Sequence, residues 1–261
     1  MRVVSWQDLI SGKAQFPESV NISIGVFDGL HLGHRKLLGE IVDGRGFPLV
    51  LTFREHPLEV LSKGGFPGQI LTPRQKMERM EALGVSGVVV IDFSRQLGRL
   101  SGKAFISLLR DNIDIGKIVA GHDFRFGKGR EADADSLRRE FRGTKTAVWI
   151  MDPVLLDGTP VSSSRIRNAI LEGSFPEVRE MLGAGHALDL RDISMAQESL
   201  PGSLRATARR SDIRQCLPKP GRYPVSSEAE TAAARGLLTV GNDSVELELS
   251  GGGTIEMAVF L

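Results

Sequence analysis

A single cysteine, Cys216, stands in a chain of 261 residues. One thiol excludes an internal disulfide framework and a thiolate zinc cluster. It fits a reducing compartment. Charge of one sign is missing too: 33 Lys and Arg face 32 Asp and Glu, for a net charge of +1. Proteins held on nucleic acid mainly through phosphates carry a basic excess or stripe, so no nucleic-acid partner is expected. There is no run of ~20 apolar residues, the length a bilayer span needs. The opening MRVVSWQDLISGKAQ lacks the apolar core of a signal peptide. A cytoplasmic, soluble chain with no membrane partner is therefore expected. Neither an internal repeat nor a low-complexity tract is present. What remains is ordinary core material, 41% hydrophobic and 25% charged residues, enough for one or two domains at this length.

Two patterns alternate over residues 1–185. Short apolar runs predict buried strands at Val20–Phe27, Pro48–Phe53, Val85–Phe93, Lys117–Gly121 and Thr146–Met151. Amphipathic stretches predict helices at Gly33–Val42, Pro73–Leu83, Gly102–Asn112, Asp133–Phe141, Ser162–Glu172 and Phe175–Leu182. Thr72-Pro73 supplies an N-cap and a proline at N1, and Gly173 follows a helix end. Strand–helix alternation predicts an α/β fold, a parallel sheet with helices on both faces. Ligands of such sheets sit at the carboxyl ends of strands. After Gly185 the composition shifts to Gly, Ser, Pro and Arg. Arg205, Arg209, Arg210 and Arg214 read as a solvated basic face. Leu237–Val240, Ser244–Leu249 and Thr254–Phe260 alternate apolar and polar residues around Gly251-Gly252-Gly253. A second, small all-β domain with tight turns is expected there.

The most informative segment is Ile24-Gly25-Val26-Phe27-Asp28-Gly29-Leu30-His31-Leu32-Gly33-His34. It runs from a strand through a turn into a helix. Gly25 and Gly29 permit close backbone approach and positive φ. Gly33 and His34 fall near the helix start, where free N–H groups and the dipole attract phosphate. His31 and His34, three apart, can face the same oxygens from one turn. The chemistry suggested is stabilisation of charge on a nucleotide triphosphate. The plain alternative is a strand–turn–helix with surface histidines. Strand, glycines, histidines and helix all agree with the phosphate reading.

This run resembles the His-x-Gly-His signature of adenylyl- and cytidylyltransferases. Three later segments narrow the match. Leu51-Thr52-Phe53-Arg54-Glu55-His56-Pro57 resembles a Thr-Phe-x-x-His-Pro stretch. Gly121-His122-Asp123-Phe124-Arg125-Phe126-Gly127 resembles a Gly-x-Asp-Phe-x-Phe-Gly loop. Val161-Ser162-Ser163-Ser164-Arg165-Ile166-Arg167 resembles a Ser-Ser-x-x-Ile-Arg motif. All occur, in this order, in the FAD synthetase module of bacterial bifunctional riboflavin kinase/FAD synthetases. The resemblance implies a Rossmann-like nucleotidyltransferase domain over residues 1–185. It implies adenylyl transfer from ATP to FMN, with Mg²⁺ as cofactor. His31, His34, Ser163 and Arg167 are then the catalytic candidates. Gly25, Phe27, Asp28, Gly29, Gly33, Ser162 and Ser164 would line the ATP site. His56, Pro57, Asp123, Phe124 and Phe126 would border the flavin.

The residues fit those roles, with open alternatives. The serines sit at a helix N-terminus, where hydroxyls and N–H groups suit phosphate oxygens; a plain N-cap is the other reading. Arg165 and Arg167, two apart, cannot both point one way, and the family match selects Arg167. Phe124 and Phe126 can stack on an isoalloxazine ring or be core. Asp28 can reach Mg²⁺ or simply stabilise a turn; no residue is assigned as a metal ligand. Arg130 follows the Phe loop, and two residues on the family's usual glycine is replaced by Ala132.

Full family members also carry a riboflavin kinase barrel. Its entry resembles Gly-x-x-x-Gly-x-x-x-Gly-Arg-x-x-Gly-Phe-Pro-Thr-Ala-Asn. The matching place, Leu188–Leu200, has no glycine, no Pro-Thr and no Asn. Pro220-Gly221-Arg222-Tyr223-Pro224 is still similar to the family's Gly-x-Tyr strand, and Glu246 stands where a catalytic Glu is expected. The chain ends at Leu261, where relatives continue into a helix. Residues 186–261 are therefore expected to form a shortened, degenerate, β-barrel-like domain without kinase activity, kept for packing or for a protein partner not identified. Two other readings stand beside FMN adenylyl transfer: another small-molecule nucleotidyltransferase, and a flavin- or ATP-binding regulatory module without turnover.

Overall fold

Apolar runs too short for helices fold as parallel strands in the first half of the chain. The computed structural model describes residues 1–16, 19–61, 65–92, 97–228, 234–250 and 255–261. By its contacts the chain divides into two units, Met1–Gly64 with Met77–Pro160, and Gly65–Lys76 with Val161–Leu261.

The first unit holds β1 (Arg2–Ser5), β2 (Val20–Ile24), β3 (Phe47–Phe53), β4 (Gly87–Ile91), β5 (Ile115–Gly121), the hairpin strands β6 (Arg125–Phe126) and β7 (Ala132–Asp133), and β8 (Ala147–Met151). Six of these make one sheet in the order β1-β4-β3-β2-β5-β8, every pair parallel. The short hairpin β9 (Leu155–Leu156) and β10 (Thr159–Pro160) closes the unit. The helices are α1 (Trp6–Ile10), α2 (Leu32–Val42), α3 (Pro57–Leu61), α4 (Pro73–Ala82, of which this unit holds the part from Met77), α5 (Gly102–Asn112) and α6 (Ala134–Glu140).

Successive strand residues point to opposite faces, and both faces are covered. Val20, Ile22 and Ile24 join Leu49, Leu51 and Val89 in a core shared with Trp6 and Leu9 of α1, Phe105 of α5 and Leu137 of α6. On the other face α2 buries Leu38 and Ile41. There Asn21 donates to the Ile41 carbonyl at 3.2 Å. Two-sided burial is why the strands are rich in apolar residues on both faces, and why the buried Asn21 and Ser23 of β2 bond to backbone carbonyls. Each fully buried Leu or Ile contributes roughly 1.5–3 kcal/mol. Leu38 and Ile41 thus anchor α2, whose first turn carries the histidines.

The second unit contains α7 (Ser163–Glu172), α8 (Phe175–Leu182) and seven strands: β11 (Ala187–Asp189), β12 (Ala196–Leu200), β13 (Ser203–Arg209), β14 (Gly221–Glu228), β15 (Arg235–Val240), β16 (Ser244–Ser250) and β17 (Met257–Phe260). They form one antiparallel half-barrel sheet in the order β11-β17-β14-β15-β16-β13-β12. The fold is thus α/β, a parallel sheet followed by a small β domain. Two sequence expectations are refined. The strand expected over Val20–Phe27 stops at Ile24, because the turn begins at Gly25. The basic face expected after Gly185 is partly neutralised: Arg205 lies 3.7 Å from Glu198, 3.7 Å from Glu246 and 3.5 Å from Glu248, and Arg209 lies 3.5 Å from Asp212. The expected strand end at Phe93, the Gly251-Gly252-Gly253 turn and Thr254 lie outside the described residues. Among the described residues no helix is long and apolar enough to cross a membrane.

Candidate active site

Three non-extended residues shape the link from β2 to α2. Phe27, Gly29 and Leu30 have φ of 54°, 87° and 45°. A left-handed conformation at a non-glycine residue costs roughly 1–3 kcal/mol. Burial holds it here, Phe27 and Leu30 being almost wholly enclosed. Of the two glycines that permit positive φ, Gly29 uses it and Gly25 does not. The role of Gly25 is space: a Cβ there would sit 3.2 Å from the Phe27 ring. Thr52, fully buried at the end of β3, donates from Oγ1 to the Val26 carbonyl at 3.0 Å. That bond ties the neighbouring strand to the strained turn, a role the sequence did not reveal.

His31 caps α2. Its extended backbone (φ −64°, ψ 172°) lets Nδ1 accept the His34 N–H at 3.3 Å. Leu32 and Gly33 follow in the first helical turn, where N–H groups have no intrahelical acceptor. The rings of His31 and His34 are stacked, centroids 3.7 Å apart and planes within 19°. Phe27 meets His34 edge-on at 5.2 Å. The two imidazoles therefore differ. Burial pushes the His31 pKa down to about 4, against the opposing pull of Asp123 and Asp28. At neutral pH His31 carries no charge, and because Nδ1 accepts, the proton sits on Nε2. His31 offers a neutral N–H donor, and His34 is held between it and Phe27.

That depressed value makes stability depend on pH. Unfolded histidine titrates at 6.5 and folded His31 at about 4, so between those values the unfolded chain binds more protons. Stability is then full above pH 6.5 and falls as pH drops toward 4, by roughly 3 kcal/mol in all. His31→Asn keeps a capping oxygen and removes the titration. Urea unfolding at pH 7 and pH 4.5 checks this: the loss on acidification is smaller in the variant, and equal losses would reject it.

The turn meets the loop after β5, the next strand of the sheet. Asp123 in that loop acts on His31 electrostatically, as does the buried Asp28. Phe124 and Phe126 stack on each other at 5.2 Å. Phe126 belongs to the core beside Phe105, whereas Phe124 is half-buried. Of the two rings expected at the flavin, Phe126 thus takes the core role and Phe124 keeps open surface. The Ala132 departure is absorbed by Gly102, where a Cβ would come 2.6 Å from that of Ala132. His56 accepts the Leu58 N–H through Nδ1 at 3.2 Å, and Pro57 opens α3. No group of three His, Cys, Asp or Glu placed to hold a metal occurs among the described residues.

In the second unit, Ser162 caps α7 by accepting the Arg165 N–H at 3.2 Å. Ser162 thus does the plain capping work. Ser163 and Ser164 follow in the first turn, half-buried and exposed. The two arginines separate, as their spacing requires. Arg165 binds Glu177 through Nε at 3.1 Å and Nη2 at 2.9 Å. Arg167 is 5% exposed, donates from Nε to the Gly68 carbonyl at 3.0 Å, and lays its guanidinium over Phe66 at 5.1 Å.

Known proteins are similar to this chain. A family model described as FAD synthetase matches residues 13–165. An FAD synthetase of Listeria monocytogenes is 32% identical over 166 residues, 62% of this chain and 68% of that one. A bifunctional riboflavin kinase/FMN adenylyltransferase of the same organism is 30% identical over 225 residues, 84% of this chain and 71% of that one. A crystal structure described as a macrolide-efflux protein from Streptococcus pneumoniae has a TM-score of 0.82, covering 100% of this chain and 90% of that one. At 24% identity it is a likeness of fold alone. The span matched by the family model contains the strained turn, the stacked histidines and the loop that faces them, and on that footing the chain belongs to the FAD synthetase family.

Proposed function

We infer that the chain transfers the adenylyl group of ATP to FMN, giving FAD and pyrophosphate. The observation that carries this is the His31–His34 stack at the start of α2. The phosphate oxygen of FMN attacks the α-phosphorus of ATP, forming a new P–O bond as the bond to the β-phosphate bridging oxygen breaks. Pyrophosphate leaves with the electron pair. The nucleophile is already anionic at neutral pH, since its second pKa is about 6, so no general base is needed. The work is alignment and the stabilisation of charge on the leaving group. His31 supplies a neutral Nε2–H, His34 a ring held in place, and the Leu32 and Gly33 N–H groups a phosphate-binding helix start. Ser163 and Arg167 serve the triphosphate from α7. His56, Pro57, Asp123 and Phe124 border the flavin, with Phe126 as the core support of Phe124.

Mg²⁺ fits this donor set. It dehydrates reluctantly and is commonly held by one or two carboxylates plus substrate phosphates, and Asp28 and Asp123 both act on His31. Asp28, buried in the turn before α2, would hold the ion together with substrate phosphates, and the ion would neutralise phosphate charge. Residues 1–185 form the adenylyltransferase module and 186–261 the degenerate kinase-like module, in a cytoplasmic protein without nucleic-acid or membrane partners.

Incubating the protein with FMN and Mg-ATP tests the reading, with flavin products separated by chromatography and pyrophosphate measured alongside. FAD and pyrophosphate in equal amounts are expected. Pyrophosphate released only with nicotinate or pantetheine phosphates would assign the chain to another nucleotidyltransferase. Binding of FMN and ATP without pyrophosphate would make it a regulatory module.

A further inference from the structure

We propose that the C-terminal β region serves adenylyl transfer by seating the loop Phe66–Gly68, which orients Arg167. This rests on the reading of Arg167 as a triphosphate-binding residue. The loop lies in the second unit, within Gly65–Lys76. Gly68 has φ +108°, and a Cβ there would come within 2.7 Å of the Cys216 nitrogen and the Gln215 carbonyl carbon, and 2.8 Å of the Arg214 oxygen. These are backbone atoms and cannot swing aside. Close approach is possible only without a side chain.

Hydrogen bonds then fix the loop to the segment that leads into β14. The Gln69 N–H donates to the Arg214 carbonyl at 3.1 Å, and the Cys216 N–H donates back to the Gln69 carbonyl at 2.8 Å. The side chain of Gln215, itself buried, donates to the Ile70 carbonyl at 3.0 Å and to Gln75 Oε1 at 3.1 Å. A buried amide left without its partner keeps its full desolvation cost, so the seat is specified. Arg167 uses the two features this seating presents. The Gly68 carbonyl takes Nε at 3.0 Å, and the Phe66 ring lies against the guanidinium at 5.1 Å. One edge and one face are thereby set, which fixes the plane of the group. Bidentate recognition of phosphate depends on that plane. The β region thus has a use that does not require kinase chemistry. Phe66 and Gly68 are positioning residues.

The test compares steady-state kinetics of the full chain in Phe66→Leu, Phe66→Tyr, Gly68→Ala, Arg167→Ala and the Phe66→Leu/Arg167→Ala pair, with thermal unfolding to establish folding. Misplacing a reacting partner by about 1 Å costs up to about 10²-fold in rate. Phe66→Leu and Gly68→Ala are therefore expected to lower kcat/KM for ATP about 10–100-fold, with KM for FMN unchanged. Phe66→Tyr keeps the ring and the rate. In the Arg167→Ala background, Phe66→Leu has no further effect. Should Gly68→Ala fail to fold, the Phe66 series carries the test alone. Wild-type kinetics in Arg167→Ala would sink the reading of Arg167 itself. Lost activity in Arg167→Ala beside wild-type kinetics in Phe66→Leu, or additive losses in the pair, would overturn the orienting role and leave that reading standing.

Discussion

Replacing His31 or His34 by alanine is expected to lower turnover about 10²–10³-fold, the usual effect of losing one preorganised donor to developing negative charge, while FMN affinity stays near wild type. The two losses have different origins. His34 is gripped between the Phe27 edge and the His31 face, so its ring is ordered before substrate arrives. His31 is a neutral donor and also the N-cap of α2. Its alanine variant therefore forfeits stability as well as rate, about 1 kcal/mol for the lost cap. His31→Asn separates the two. The asparagine oxygen restores the cap, yet no Nε2–H remains, so stability recovers and turnover does not. Steady-state kinetics beside urea unfolding decides it. Recovery of turnover together with stability in His31→Asn would reduce His31 to a structural residue, and near-normal rates in both alanine variants would remove the pair from the mechanism.

The parallel sheet was legible because its strands are buried on both faces. Ile22, Leu49 and Ile118 point one way and Ser23, Val50 and Val119 the other, all fully enclosed, so the strands are mostly apolar on both faces, and the buried Ser23 hydroxyl donates internally to the Val119 carbonyl at 2.8 Å. Edge strands gave no such signal. In β12 the first four residues are exposed, and β1 is four residues long with two exposed. Short α3 has too few turns for a periodicity. At the site, spacing and residue type identified the histidines, but not their inequality, which comes from burial. Nor could spacing show that Phe27 and Leu30 carry the positive φ values, or that Gly25 makes room for a ring. The partners of Arg167 were invisible for a different reason. Gly68 lies 99 residues from it in the chain, and no local pattern reports a contact at that separation.

Riboflavin with Mg-ATP is expected to yield no FMN. The ribityl hydroxyl is neutral and weakly nucleophilic, so a kinase needs a base for it, along with ligands for Mg²⁺ and for the β- and γ-phosphates. The carboxylates at Asp189, Asp192, Glu198 and Glu246 are already engaged. Asp189 accepts from Arg191 through Nε and Nη2, both at 2.8 Å, and from Thr72 at 2.9 Å. Burial pushes its carboxyl up, yet the bonds from Arg191 and Thr72 together hold it below the usual carboxylate range. Such a group is a poor base. Asp192 pairs with Arg74 at 2.7 Å. Glu198 and Glu246 share Arg205 with Glu248, which sets three carboxylates against one guanidinium. That surplus of negative charge repels a triphosphate. Residues 188–200 contain no glycine through which the backbone could close on phosphate. Adenylyl transfer escapes the need for a base because its nucleophile arrives ionised, and its proposed phosphate ligands lie in the first turns of α2 and α7 rather than in this sheet. The same preparation should therefore convert FMN to FAD while leaving riboflavin untouched, and chromatography of the two reactions run side by side reads both outcomes. FMN formed from riboflavin by protein free of contaminating kinase would show that the half-barrel holds a working phosphoryl-transfer site built from other residues.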